Sequence, residues 1–279
     1  MRMAGFFLML ALALPACKTQ QASVEQRSVS KVTETAGDID KDNAPAAMTP
    51  EVARRIATAL TRHPEPFLAV RAPNRAPSLR AQAGKPVSFD LAVPGVSRWA
   101  DATVARFVVR LPGGVQDTVP VDLSSARTLV TYTFPSAGPA MLMLCAGPKG
   151  NAPDPTTLVT HCSKVIVAVA DGRGAGEGGD DFTSETGLPL DVVPLVSPTH
   201  LGVGSELPVS FHYMTEEEGG IEVAALRPDG TIDRQTTNRS GVAHFQLTQS
   251  GRWVIRFVKA QPEGERVGEL VFEIAENKR

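Results

Sequence analysis

The side chains most able to do chemistry are five histidines, His63, His161, His200, His212 and His244, and three cysteines, Cys17, Cys145 and Cys162. No two histidines are spaced i, i+2 or i, i+4, the separations that would set two imidazoles on one face of a strand or a helix. His212 alternates with the apolar run Leu207-Val209-Phe211-Tyr213, and His244 alternates with Ala243-Phe245-Leu247. Both therefore point away from the expected core, as solvated side chains on the polar side of a sheet. If their strands pair, they could also meet as a surface metal site, and they are the weak metal-ligand candidates of the second half. The sequence contains no H-E-x-x-H, no G-x-S-x-G and no clustered Cys/His ligand set. No catalytic residue and no cofactor is expected, and the reading is of a protein that is not an enzyme.

One further motif invites a chemical reading and fails on its context. Gly174-Ala175-Gly176-Glu177-Gly178-Gly179 matches G-x-G-x-x-G after a candidate strand. A dinucleotide site needs a helix opening at the last glycine. Asp180 and Asp181 follow instead and would repel a phosphate, so 171–186 reads as a Gly- and acid-rich linker. Glu216-Glu217-Glu218 before Gly219-Gly220 reads as a solvated acidic turn.

The cysteines divide. Leu14-Pro15-Ala16-Cys17 closes an apolar run from Phe6 to Leu14 that follows Arg2. A basic start, an apolar stretch and small residues before a cleavage point make a secretory signal, here 1–16. The cysteine directly after Ala16 matches the lipobox of bacterial lipoproteins, so Cys17 is expected to be diacylated and to become the mature N-terminus. Lys18, not Asp, follows it, which by resemblance to lipoprotein sorting rules favours the outer membrane over the inner. Cys145 and Cys162 then remain as a pair in an oxidising compartment and are expected to form a disulfide. Two buried free thiols or half of a metal site are the alternatives, although a lone Cys pair is a poor zinc signature.

Composition limits the partners. The 279 residues carry a formal net charge of -2 and give no reason to expect nucleic acid. After the signal no apolar run approaches the length of a spanning helix, so the lipid would be the only membrane anchor. Residues 17–47 are polar, lack aromatics and show no apolar period, as in a disordered tether. Over 48–64, Thr49-Pro50-Glu51 reads as a helix start, and Val52, Ile56 and Leu60 fall on one helical face. This predicts one short amphipathic helix docked on the domain that follows.

From 65 the pattern shifts to period two with Pro and Gly punctuation. Strands are predicted at Phe67–Arg71, Pro86–Val93, Ala105–Leu111, Leu129–Phe134, Ala140–Cys145 and Ser163–Ala170. These make an N-terminal β-sandwich over 65–170, with 146–161 as a proline-bearing loop tied at its ends by the disulfide. A C-terminal β-sandwich over 187–275 has strands at Leu188–Leu195, Leu207–Tyr213, Ile221–Leu226, Val242–Leu247, Arg252–Lys259 and Glu269–Ile274. Asp229-Gly230 and Ser240-Gly241 supply its hairpin turns. Trp253, alternating with Ile255 and Phe257, should centre the core. The predicted class is all-β: two antiparallel β-sandwich domains in series.

The second half carries a resemblance. Thr186-Gly187-Leu188-Pro189-Leu190-Asp191-Val192-Val193-Pro194 is followed by Pro198 and Gly204-Ser205-Glu206-Leu207-Pro208-Val209. Asn238-Arg239-Ser240-Gly241 and Gln249-Ser250-Gly251-Arg252-Trp253-Val254-Ile255 come later. This run resembles the periplasmic nickel/cobalt-transport accessory family, most of whose members are known only as a domain of unknown function. The resemblance implies an N-terminal β domain joined to an immunoglobulin- or prealbumin-like one. It covers about the last 95 residues well and 65–170 loosely, with Lys164-Val165-Ile166-Val167 echoing the strand before the linker. It would also imply metal-binding histidines near the mature N-terminus. That start is here Cys17 and a tether, with only His63 able to stand in, so no ligand residue carries over. The expectation is a lipid-anchored envelope protein that binds or scaffolds other envelope proteins. The alternative is a metal- or solute-binding accessory of an uptake system.

Overall fold

The computed structural model describes Arg54, Thr58, 68–71, 79–91, 101–122, 124, 129–150, 158–171, 174–175 and 182–276. The signal segment, Cys17, the tether, His63 and most of the expected helix lie outside the described residues. Within 48–64, Arg54 and Thr58 are helical, and the Thr58 hydroxyl donates to the Arg54 carbonyl at 2.6 Å. The chain divides into Met1–Ile39 and Asp40–Arg279, and every described residue belongs to the second unit.

The first half supplies β1 (Leu68–Arg71), β2 (Arg80–Gln82), β3 (Pro86–Leu91), β4 (Ala102–Arg110), β5 (Gln116–Thr118), β6 (Leu129–Thr133), β7 (Gly138–Pro148), β8 (Leu158–Asp171) and β9 (Gly174–Ala175). The second supplies β10 (Leu190–Pro194), β11 (Glu206–Tyr213), β12 (Glu216–Glu217), β13 (Glu222–Leu226), β14 (Ile232–Thr236), β15 (Val242–Gln246), β16 (Gly251–Gln261) and β17 (Gly264–Ile274). They build three layers. A ten-stranded sheet has the path β14-β13-β16-β17-β8-β7-β4-β5, with β2 and β9 also on β8. A three-stranded sheet, β1-β3-β6, belongs to the first half, and a four-stranded sheet of β10, β11, β12 and β15 to the second.

The side-chain alternation of strands explains how one sheet serves two cores. In β7, Ala140, Leu142, Leu144 and Ala146 enter one core, while Met141, Met143 and Cys145 enter the other. In β8, Val165, Val167 and Val169 join Phe89, Val130 and Phe134 under the three-stranded sheet. Cys162 and Ile166 face the opposite way, into the core that holds Trp253, Phe257, Phe211 and Phe245. Strands covered on both faces read as near-continuous apolar runs. That is why Ala140–Ala146 and Val165–Val169 lack a polar period.

The all-β sandwich class holds, but the halves are not separate bodies in series. β17, from the second half, pairs in parallel with β8, from the first, through Val267↔His161, Gly268↔Cys162, Glu269↔Ser163 and Leu270↔Lys164. The expected linker does not divide them either. Gly174–Ala175 folds back onto Ala170 and Asp171 as β9. Phe182 and Leu188 are buried in the second core, so that half begins before 187. The expected loop 146–161 is strand at both ends, since β7 runs on to Pro148 and β8 starts at Leu158. Asp229-Gly230 does join β13 to β14, with Gly230 at φ 83°. Ser240-Gly241 instead carries the chain from the ten-stranded sheet to the four-stranded one. Glu216–Glu217 forms a two-residue strand on β11 and not a free turn.

Candidate functional site

Three consecutive residues of β8 at this seam, Ser163 and its neighbours Cys162 and Lys164, face alternately into the two sides of the sheet. Cys162 lies directly opposite Cys145 on β7, and the two form a disulfide with Cα atoms 4.1 Å apart. Such a close approach belongs to a non-hydrogen-bonded antiparallel pair. The bridge is fully buried.

On the face under the three-stranded sheet, the β8 side chains His161 and Ser163 meet Glu269 of β17 and Arg256 of β16. The Ser163 hydroxyl donates to Glu269 Oε1 at 2.8 Å. Arg256 Nε and Nη2 donate to Glu269 Oε2 at 3.2 and 2.6 Å. His161 Nε2 lies 3.3 Å from the same oxygen. None of the four is more than 2% exposed. Burial alone would raise the Glu269 pKa, but His161 and Arg256 hold its carboxyl well below the usual carboxylate range. Burial pushes His161 down, outweighing Glu269, and keeps the imidazole neutral. The serine proton goes to the carboxylate and not to the imidazole, so the serine is not activated as in a hydrolase. Their convergence on one carboxylate ties β8 to β16 and β17.

On the other face, Lys164 Nζ lies 2.5 Å from Asp191 Oδ1, and both side chains are almost wholly buried. The Thr186 N–H and hydroxyl donate to Asp191 Oδ2 at 2.7 and 2.9 Å. Burial pushes Lys164 down despite Asp191 beside it. Asp191 faces His212 across β10 and β11. His212 is buried, a correction to the solvated position expected for it. Its Nε2 is 2.8 Å from Ser210 Oγ, and its Nδ1 is 3.8 Å from Glu185 Oε1. The polar side of β11 is therefore covered at this end, where 184–186 and Lys164 come alongside it.

His244 stays exposed and pairs with Glu206 on the neighbouring strand. The strands of His212 and His244 do pair, but His244 lies opposite Pro208. His212 is four residues further along β11, roughly 13 Å at the rise of a strand. The two histidines are not brought together. Among the described residues no group of three His, Cys, Asp or Glu side chains could hold a metal ion. Glu218 of the acidic turn binds Lys259 Nζ at 2.7 Å, and that ammonium stands 5.3 Å from the centre of the Tyr213 ring. Sequence reading missed both buried clusters. Their only signal was the polar interruption His161, Ser163, Lys164 inside an otherwise apolar strand.

Fold and seam together define an all-β protein of paired, fused sandwiches. The chain belongs to the DUF4198 family, a domain of unknown function, which matches residues 72–261. No curated protein matches it. Among solved structures it is similar to a two-domain fibronectin type-III segment of chicken tenascin, at 11% identity and a TM-score of 0.24, over 74% of this chain and 97% of that one. It is also similar to the mouse nectin-like molecule 4 ectodomain, at 8% identity and a TM-score of 0.20, over 76% of this chain and 64% of that one. A Dscam structure matches at 10% identity and a TM-score of 0.20, over 74% of this chain and 46% of that one.

Proposed function

We propose that this protein is a non-enzymatic cell-envelope lipoprotein that binds or scaffolds other envelope proteins. The observation that carries the reading is the seam. One ten-stranded sheet passes through both halves, and buried polar contacts from β8 to Glu269 on one face and to Asp191 on the other lock the join. A rigid double sandwich suits a module that holds partners at fixed spacing. The polar side chains at the seam are spent on cohesion. Cys17, diacylated after removal of 1–16, would hold it to the outer membrane, with 17–47 as the tether. The test is metabolic palmitate labelling with cell fractionation, followed by cross-linking in cells. Label lost and protein freed from the membrane in Cys17→Ser, with discrete cross-linked protein partners for the wild type, would support the proposal. A membrane-free, unlabelled wild type would sink the anchor, and the absence of any cross-linked partner would sink the scaffold.

A second reading, an accessory to nickel/cobalt uptake, draws on one observation. His244 and Glu206 stand as an exposed pair on the outer face of the four-stranded sheet. Titration calorimetry with nickel, cobalt, copper and zinc tests it. Micromolar or tighter binding lost in His244→Ala would support it, and no heat with any of the four would remove it.

A further inference from the structure

The Lys164–Asp191 pair departs from an ordinary buried ion pair. An ammonium has three protons to place, and among the described residues Lys164 Nζ has no hydrogen-bond acceptor besides Asp191 Oδ1, 2.5 Å away. Asp191 Oδ1 has no other donor either. The second carboxylate oxygen is served quite differently. Oδ2 sits between the Thr186 N–H at 2.7 Å and the Thr186 hydroxyl at 2.9 Å. Two donors on one oxygen, with an amine against the other, place a nucleophile beside a carboxyl group whose second oxygen already has an oxyanion cradle. The cradle stabilises charge on the oxygen that becomes the oxyanion, and the other oxygen is free to leave.

We propose that Lys164 and Asp191 condense to a side-chain amide that covalently ties β8 to β10. The step balances within the pair. One ammonium proton passes to Oδ1, leaving a neutral amine and a neutral acid. Nζ then attacks Cγ, and the tetrahedral oxyanion on Oδ2 is held by the two Thr186 donors. A second proton passes from nitrogen to Oδ1, the Cγ–Oδ1 bond breaks, and one water departs. The amide nitrogen keeps the third proton. No outside acid, base or oxidant is consumed. Condensation in water is ordinarily uphill, but a fixed pair reacts with an effective molarity that reaches roughly 10⁵–10⁸ M. The product also removes two charges from a site that hydrates neither. The depressed basicity of Lys164 supports the neutral amine that the attack needs.

Peptide mapping by mass spectrometry on the reduced full chain, held folded at neutral pH, tests this. The expected result is a branched peptide joining the segment with Lys164 to the segment with Asp191. Its mass would be one water below their sum, and trypsin would not cleave after Lys164. Lys164→Arg and Asp191→Ala should each abolish that species. Thr186→Val keeps both reactants while removing the hydroxyl donor, so it should slow the appearance of the branched peptide at least tenfold. Free Lys164 and Asp191 peptides alone in the wild-type chain would overturn the proposal, and that readout does not depend on whether any variant folds.

Discussion

Glu269 and Arg256 close on one another at 2.6 Å with neither side chain reaching water. They belong to neighbouring strands, and Ser163 and His161 reach the same carboxylate from across the seam. Breaking a buried pair by removing one partner leaves an uncompensated charge, which costs about 3–5 kcal/mol. Glu269→Leu should therefore destabilise by that order. Replacing both, as Glu269→Leu with Arg256→Met, should recover much of the loss. Urea denaturation of the two variants measures the difference. Equal losses in the single and the double variant would contradict the pair's role.

Acid should loosen the fold in two stages. His161 has an ordinary pKa of 6.5 and is pushed below it by burial. Below 6.5 the unfolded chain takes up a proton that the folded one refuses, so stability falls as the pH falls. Glu269 works lower down. Burial would raise it, but His161 and Arg256 hold it below its ordinary 4.5. Its contribution is complete above 4.5 and is lost as the pH drops toward the folded value. Thermal unfolding midpoints across this range should decline from just below pH 6.5, and His161→Gln should flatten that upper part while also weakening the hold on Glu269 in the lower part.

The Cys145–Cys162 bridge spans a sequence separation of 17. In the chain-entropy account a loop of that size is worth about 3 kcal/mol. Reduction, or Cys145→Ala with Cys162→Ala, should lower the unfolding free energy by that amount. The β7–β8 pairing, with Leu144↔Ser163 and Ala146↔His161 on either side of the bridge, should survive. Guanidinium titrations with and without reductant supply the number, and hydrogen exchange on Leu144 and Ser163 checks the pairing.

Gly268 of β17 sits where the second core leaves no room for a side chain. A Cβ there would overlap the Phe257 ring and lie 3.0 Å from the Leu190 Cβ. Overpacking of this kind typically costs 1–3 kcal/mol, about as much as a lost hydrogen bond or two. Gly268→Ala should be destabilising despite the favourable β-strand entropy of alanine. Gly268→Ala with Phe257→Leu should regain part of the loss, as read by thermal unfolding.

Where residues alternated, the fold was legible in the sequence. Trp253, Ile255 and Phe257 are buried in the second core, and Val87 and Phe89 pack in the first. Asp229-Gly230 made its hairpin because glycine accepts the positive φ. The disulfide followed from counting cysteines. The seam was not legible. Nothing local tells Val165 of β8 that it will lie beside Val271 of β17 in parallel register. Pairing at such sequence distance is decided by what the two sheets leave uncovered. His212 was misread for the same reason. Alternation gives the face on which a side chain stands but is silent about whether a distant segment, here Glu185 and Thr186, later covers that face.

The register of β8 with β17 also sets an order of events during synthesis. β8 is made well before its parallel partner, and β17 is the last of the described strands to emerge. Until then the Leu158–Val165 stretch of β8 lacks its parallel partner and presents unpaired backbone donors and acceptors, an open template for another chain. Lys164 lies within that stretch, and a lysine on a strand awaiting its partner discourages pairing with strangers. The same residue that ends up sealed against Asp191 thus guards the strand while it waits.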